Sequence, residues 1–231
     1  MIRLDGNELV PAPYRGAIVA LGNFDGFHKG HQAVVGRAIA MAKARGCPVI
    51  VATFDPHPVR SFRPDTAPFR LTTLDQRQRL FAEAGADAML VFHFDGALAG
   101  VSAEDFIVKL LVERIGAVGV VTGEDFTFGK GKSGNIAVLK AVGAAHGMTC
   151  EAVGAITDES GPISSSRIRA ALEVGDCATA THLLTRPFAI EGVVQHGDKN
   201  GRLLGFPTAN LEVGAYLRPR YGIYAVKGHF A

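Results

Sequence analysis

Two histidines three positions apart, His28 and His31, close the run Gly22-Asn23-Phe24-Asp25-Gly26-Phe27-His28-Lys29-Gly30-His31, which follows a short apolar stretch and opens a segment of helical period. Side chains at this spacing lie on neighbouring faces of one helical turn, so both imidazoles can serve one ligand. At a helix N-terminus the unpaired backbone N–H groups and the positive end of the dipole already favour an anion. Gly30 lets the backbone come close to it, and imidazole N–H groups can donate to triphosphate oxygens. Such a set can stabilise charge developing on an α-phosphate without forming a covalent intermediate. Taken alone, the two histidines fit a metal pair or an ordinary surface as well as a phosphate site; their place at a strand-to-helix turn favours the phosphate.

A second candidate is Ile163-Ser164-Ser165-Ser166-Arg167-Ile168-Arg169, ahead of a helix reaching about residue 172. Three hydroxyls at a helix start can cap it and bind phosphate oxygens, and Arg169 can offer a two-pronged fork to the same oxygens. By itself this run reads first as a plain cap with a solvated arginine. Paired with the histidines, it becomes the other half of a nucleotide clamp.

These residues need a frame. Residues 17–21, 49–53, 88–92 and 117–121 are short β-branched runs of the kind buried on both sheet faces, and segments of helical period separate them. Val34, Val35, Ala38, Ile39 and Ala42 mark one helix, and Ser102-Ala103-Glu104-Asp105 resembles a capping box opening another through about residue 115. Strand, helix, strand in this order requires right-handed parallel crossovers, hence an open α/β sheet that binds ligands at the carboxyl ends of its strands. After about residue 183 the texture changes: residues 190–194, 205–211 and 223–226 are Gly- and Pro-punctuated strand-like runs without a helix between them, the start of an antiparallel barrel or sandwich. Residues 184–231 are few for an independent domain and read as the opening part of a longer one. The sequence thus divides into 1–183 and 184–231.

Composition excludes other classes. Of 231 residues 48% are hydrophobic and 20% charged, which fits a folded core rather than a disordered chain. A formal net charge of +2 implies no nucleic-acid partner. No long apolar run implies a membrane partner, and three scattered cysteines describe neither a disulfide framework nor a metal site, so a reducing, cytoplasmic setting is expected. Assembly with a second copy is left open.

A strand followed by GNFDGFHKGH, with ISSSRIR late in the domain, resembles the HxGH nucleotidyltransferase superfamily, and the wording of both runs resembles the prokaryotic bifunctional riboflavin kinase/FAD synthetases. Three further stretches agree: Phe54-Asp55-Pro56-His57-Pro58; Gly123-Glu124-Asp125-Phe126-Thr127-Phe128-Gly129; and Gly201-Arg202-Leu203-Leu204-Gly205-Phe206-Pro207-Thr208-Ala209-Asn210-Leu211. The resemblance implies a Rossmann-like nucleotidyltransferase domain followed by the start of a riboflavin kinase β-barrel. It also implies transfer of AMP from MgATP to FMN, giving FAD and pyrophosphate, and, in a longer protein, phosphorylation of riboflavin to FMN. His28, His31, Ser164 and Arg169 would be catalytic, with Gly22, Asn23, Phe24, Asp25, Gly30, Ser165 and Ser166 binding ATP. Pro56, His57, Pro58, Phe62, Asp125, Phe126 and Phe128 would lie around the flavin. In the kinase portion Gly201, Gly205, Thr208 and Asn210 would serve nucleotide and Mg²⁺. Two departures stand out: Ser166 replaces the family's usual Thr, and the kinase's catalytic base is expected beyond Ala231. Another HxGH transferase, or a silent flavin- or nucleotide-binding module, is the alternative.

Other features compete. Gly129-Lys130-Gly131-Lys132-Ser133-Gly134 satisfies GxGxxG, but Phe126 stands where a phosphate-binding loop ending in GKS needs glycine, so a mobile loop over the nucleotide is expected. Arg60, Arg63, Arg70, Arg77 and Arg79 fit either an attraction for the FMN phosphate or a solvated face.

Overall fold

The computed structural model describes the chain except for residues 64, 196–204, 206–207 and 230–231. Six strands form one wholly parallel sheet: β1 (Ile2–Asp5), β2 (Ile18–Leu21), β3 (Val49–Asp55), β4 (Ala88–His93), β5 (Gly119–Gly123) and β6 (Thr149–Val153), in the order β1-β4-β3-β2-β5-β6. The four expected strands are there; the outer β1 and β6 had drawn no expectation. Both are more exposed than the central strands, so their residues lack the continuous apolar signal of a strand buried on two faces.

The chain moves outward from β2 through β3 and β4, then crosses back to β5 on the other side of β2. This reversal opens a crevice at the carboxyl ends of β2 and β5. Successive β2 side chains face opposite ways. Ile18 and Ala20 join α1 (Lys29–Arg45) and α3 (Leu74–Ala84) in one core layer, whereas Val19 and Leu21 join the opposite layer with the helix that begins at α5 (Ala103–Asp105) and continues through Phe106–Ile115. Ser102 caps this helix, as expected, but from Phe106 it winds more widely than an α-helix. Shorter elements are α2 (Pro58–Phe62), α4 (Gly96–Gly100) and α6 (Ile136–Ala145). A third apolar cluster gathers α7 (Ser165–Val174) and α8 (Cys177–Leu184) around Leu71 and Leu217. Among the described residues no helix is long and apolar enough to cross a membrane.

Beyond residue 184 the described residues bear out the expected antiparallel pattern in part. Residues 194–195 pair antiparallel with residues 210–211, but residues 223–226 are irregular, with Ile223 and Val226 fully or largely exposed. A strand-like pattern becomes a strand only with a neighbour to take its hydrogen bonds. Instead, residues 215–217 lie along residue 70: the Arg70 N–H donates to the Ala215 carbonyl and the Leu217 N–H donates to the Arg70 carbonyl, across a parallel bridge between Arg70 and Tyr216. Tyr216 and Leu217 are buried there.

Candidate active site

The run from Gly22 to His28 is a tight turn from β2 into α1. Gly26 has φ +86°, and a Cβ there would fall 2.8 Å from Leu71 Cδ1, so the turn requires glycine. His28 is the N-cap of α1: its Nδ1 accepts from the backbone N–H groups of Gly30 at 3.1 Å and His31 at 3.4 Å. A Cβ on Gly30 would press against the His28 ring at 3.1 Å, which keeps this position small. With Nδ1 accepting, the neutral His28 ring carries its proton on Nε2, the nitrogen left to serve a ligand. The two imidazoles stack, with centroids 3.6 Å apart.

Burial lowers the His28 pKa to about 4, against the partial opposition of Asp25. His31 is also held well below its usual value, by burial and then by His28, Arg77 and Arg169. Both rings are neutral near pH 7, each with one N–H to donate. The Nδ1 of His31 is buried with no protein partner.

Asp25 ties this turn to two other segments. Its carboxylate, 3% exposed, accepts from the backbone N–H groups of Leu71 and Thr72 at 3.0 Å each, from the Thr72 hydroxyl at 3.1 Å and from the Arg169 guanidinium at 2.6 Å. Its carbonyl accepts from the Ser165 hydroxyl at 2.8 Å. Ser164 caps α7 by accepting from the N–H of Arg167, and Ser166 is exposed. The two halves of the expected clamp therefore stand side by side.

The structure corrects several individual expectations. Arg169 does not present a free fork: besides Asp25 it donates through Nε to the Phe69 carbonyl at 2.9 Å, and it lies 5.1 Å above the Phe69 ring. The Asp25 carboxylate is occupied internally, and Phe24, 1% exposed, is a core side chain set edge-on to His31. Gly22 is buried behind the Phe24 ring, and Asn23 is partly exposed at the crevice. Phe128 is likewise in the core, against Phe106.

Of the residues expected around a flavin, Phe126 is partly buried and stacks on Phe54 and Phe128, while Asp125 is exposed just beyond β5. His57 caps α2 and sets its ring against Phe69; burial lowers its pKa to about 4. Pro56, Arg60, Phe69, Arg70 and Ala215 line a cleft of about 410 Å³, open mouth included. Phe62 is 67% exposed and touches Phe94. The loop at residues 129–134 is pinned by the bridge between Phe128 and Gly134 and by the Lys130 N–H donating to the Val101 carbonyl at 2.7 Å. Gly205, Thr208 and Asn210 are exposed, and Gly201 lies outside the described residues.

The five arginines do not form one patch. Arg60 and Arg63 are exposed, Arg70 pairs with Asp55, Arg79 pairs with Glu191, and Arg77 is 2% exposed. Leu71 and Thr72, whose backbone anchors Asp25, lie outside every motif of the sequence. The available signal was positional: Leu74, Arg77 and Phe81 fall on one face of α3, so Arg77 occupies a core-facing place.

A parallel α/β sheet whose switch-point turn carries a capped histidine pair defines a nucleotide-handling protein of the Rossmann-like class. Comparison with known proteins is specific. The family model described as FAD synthetase matches residues 11–167, and that described as riboflavin kinase matches residues 184–231. A bifunctional riboflavin kinase/FMN adenylyltransferase of Escherichia coli (strain K12) is 38% identical over 221 residues, 96% of this chain and 71% of the relative; one from Bacillus subtilis (strain 168) is 37% identical over 225 residues, 96% and 70%. A crystal structure described as a macrolide-efflux protein from Streptococcus pneumoniae superposes with a TM-score of 0.84 at 30% identity, over 96% of this chain and 73% of that one. The chain belongs to the bifunctional riboflavin kinase/FMN adenylyltransferase family.

Proposed function

We propose that the chain transfers AMP from ATP to FMN, releasing pyrophosphate, at the crevice where His28 and His31 meet the start of α7. The observation that carries this reading is the His28 cap: its Nδ1 is committed to the backbone, which leaves Nε2–H as the ring's one donor for an anion at the helix N-terminus. The FMN phosphate, already ionised, attacks the α-phosphorus in line and needs no general base. His28 and His31 stabilise charge on the transferring group and on the leaving pyrophosphate. Ser164, Ser165 and Ser166 face the same crevice from α7. Arg169 acts chiefly by holding Asp25, and through it the turn, although it remains a nearby positive charge. Pro56, His57, Pro58, Phe62, Asp125 and Phe126 border the flavin end.

Among the described residues no group of three His, Cys, Asp or Glu side chains could hold a metal ion, and Asp25 is consumed by its own donors. The residues do not form a magnesium cage. Mg²⁺ belongs with the substrate as MgATP, held by phosphate oxygens and water. Residues 1–183 are assigned to this activity and 184–231 to the opening part of a riboflavin kinase, where Gly201, Gly205, Thr208 and Asn210 would serve nucleotide and metal. Three free thiols, Cys47, Cys150 and Cys177, support a cytoplasmic setting.

The test is incubation of the purified chain with ATP and Mg²⁺ and, separately, FMN or riboflavin, with the flavins resolved by chromatography. FAD from FMN supports the reading. No FAD, with FMN bound in a parallel titration, favours a silent binding module instead.

A further inference from the structure

Among the described residues, three buried side-chain polar atoms lack a protein partner: Asn23 Oδ1, His31 Nδ1 and Arg77 Nε. All three belong to the turn after β2 or to what backs it. Arg77 reaches under that turn from α3, 2% exposed, and its Nη1 donates to the Asn23 carbonyl at 3.1 Å and to the Thr53 hydroxyl at 2.8 Å. The Thr53 hydroxyl donates to the same carbonyl at 2.8 Å, closing a triangle. No carboxylate lies within ion-pair distance of Arg77 among the described residues.

A buried cation without a contacting anion is costly, and proteins ordinarily pair it. Burial pushes the Arg77 guanidinium down to about 10, which leaves it charged at neutral pH. Thr53 and a carbonyl could be satisfied by a neutral donor, so the hydrogen bonds alone do not explain an arginine here. The positive charges felt by His31 come from Arg77 on α3 and Arg169 on α7. The carboxylates that act on Arg77 through space, Asp25 and Asp55, are each in contact with another arginine, Arg169 and Arg70, so the three arginines and two carboxylates carry one positive charge in excess.

We propose that Arg77 is a positioning residue of the nucleotide site, fixing the Asn23 turn through its hydrogen bonds and supplying from beneath it the excess positive charge of this cluster, which holds the ATP triphosphate. This rests on the adenylyltransferase reading above. The polyanion completes the charge balance that the protein leaves open, so ATP binding and not FMN binding depends on Arg77.

The experiment compares the whole chain with Arg77→Gln and Arg77→Lys, measuring thermal midpoint, MgATP affinity by equilibrium dialysis without FMN, and KM for each substrate. Arg77→Gln is expected to weaken MgATP binding about tenfold and raise the KM for ATP in step, the loss of about one decade corresponding to ~1.4 kcal/mol, while the KM for FMN stays within about twofold. Arg77→Lys keeps the charge and is expected to hold ATP affinity within about threefold even where its midpoint falls. Equal weakening for ATP and FMN, or unchanged ATP affinity in a folded Arg77→Gln, overturns the proposal. If Arg77→Gln does not fold, a folded Arg77→Lys with tenfold weaker ATP binding overturns it equally. Failure of the unmodified chain to bind ATP or make FAD would instead overturn the reading on which it rests.

Discussion

Asp25 and Arg169, 144 positions apart in sequence, meet at 2.6 Å and join the two motifs of the site into one unit. The carboxylate belongs to the turn that ends in His28, and the guanidinium belongs to the helix that Ser164 caps. Removing one partner of such a buried pair leaves a charge without a counter-ion, at a cost of about 3–5 kcal/mol. Asp25→Ala is therefore expected to lower the free energy of unfolding in urea by that order and to abolish FAD synthesis, whereas Asp25→Ala/Arg169→Met loses less than the two single changes added together. Strict additivity would show that the pair does not couple.

His28 has two separable duties. Asparagine can keep the cap of α1, and alanine cannot. His28→Asn and His28→Ala should both slow adenylyl transfer by about 10²–10³-fold, the scale of losing one oxyanion donor. Only His28→Ala should also lose about 1 kcal/mol of stability. Denaturation and initial rates on the same preparations check both halves.

The buried histidines set the acid side of stability. The pKa of His28 falls from 6.5 unfolded to about 4 folded, so between these values the unfolded chain binds more protons and acidification favours unfolding. The contribution of His28 is fully present above pH 6.5 and is lost as pH falls toward 4, at about 1.4 kcal/mol per pH unit. His31 and His57 shift in the same direction and steepen the fall. Urea midpoints at pH 7 and pH 5 should differ accordingly; equal midpoints would contradict neutral, buried imidazoles.

The segment around Leu217 buttresses the loop that holds Asp25. Leu217 is 5% exposed and packs with Leu71, whose N–H bonds the Asp25 carboxylate. Leu217→Ala is expected to cost about 2–5 kcal/mol and to speed hydrogen exchange at the Leu71 and Thr72 amides. Unchanged exchange there would show that residues 215–217 only lean on the loop.

The central strands and the histidine turn were legible because each rests on local chemistry: β-branched runs buried on two faces, and a glycine-spaced turn entering a helix. Long-range partners were not. Nothing near Arg169 in sequence announces Asp25, so its fork was aimed at phosphate when the structure gives it to a carboxylate. Phe24 and Phe128 sit inside recognisable motifs and were read as ligand-facing, though the apolar volume around them draws both into the core. After residue 184 the barrel-like pattern is carried among the described residues by one antiparallel pair, 194–195 with 210–211, because a strand forms only where a neighbour takes its hydrogen bonds. Arg77 was counted with a surface group because charge dominates a composition reading, while its place in the stripe with Leu74 and Phe81 places it inside.

The most direct test follows the label of ATP. With FMN, Mg²⁺ and ATP carrying radioactive phosphorus at either the α or the γ position, the account predicts α-label in FAD and γ-label only in pyrophosphate, with flavin and pyrophosphate formed in equal amounts. γ-Label in the flavin, or no label in it while ATP and FMN both bind, would contradict adenylyl transfer at the His28–His31 site.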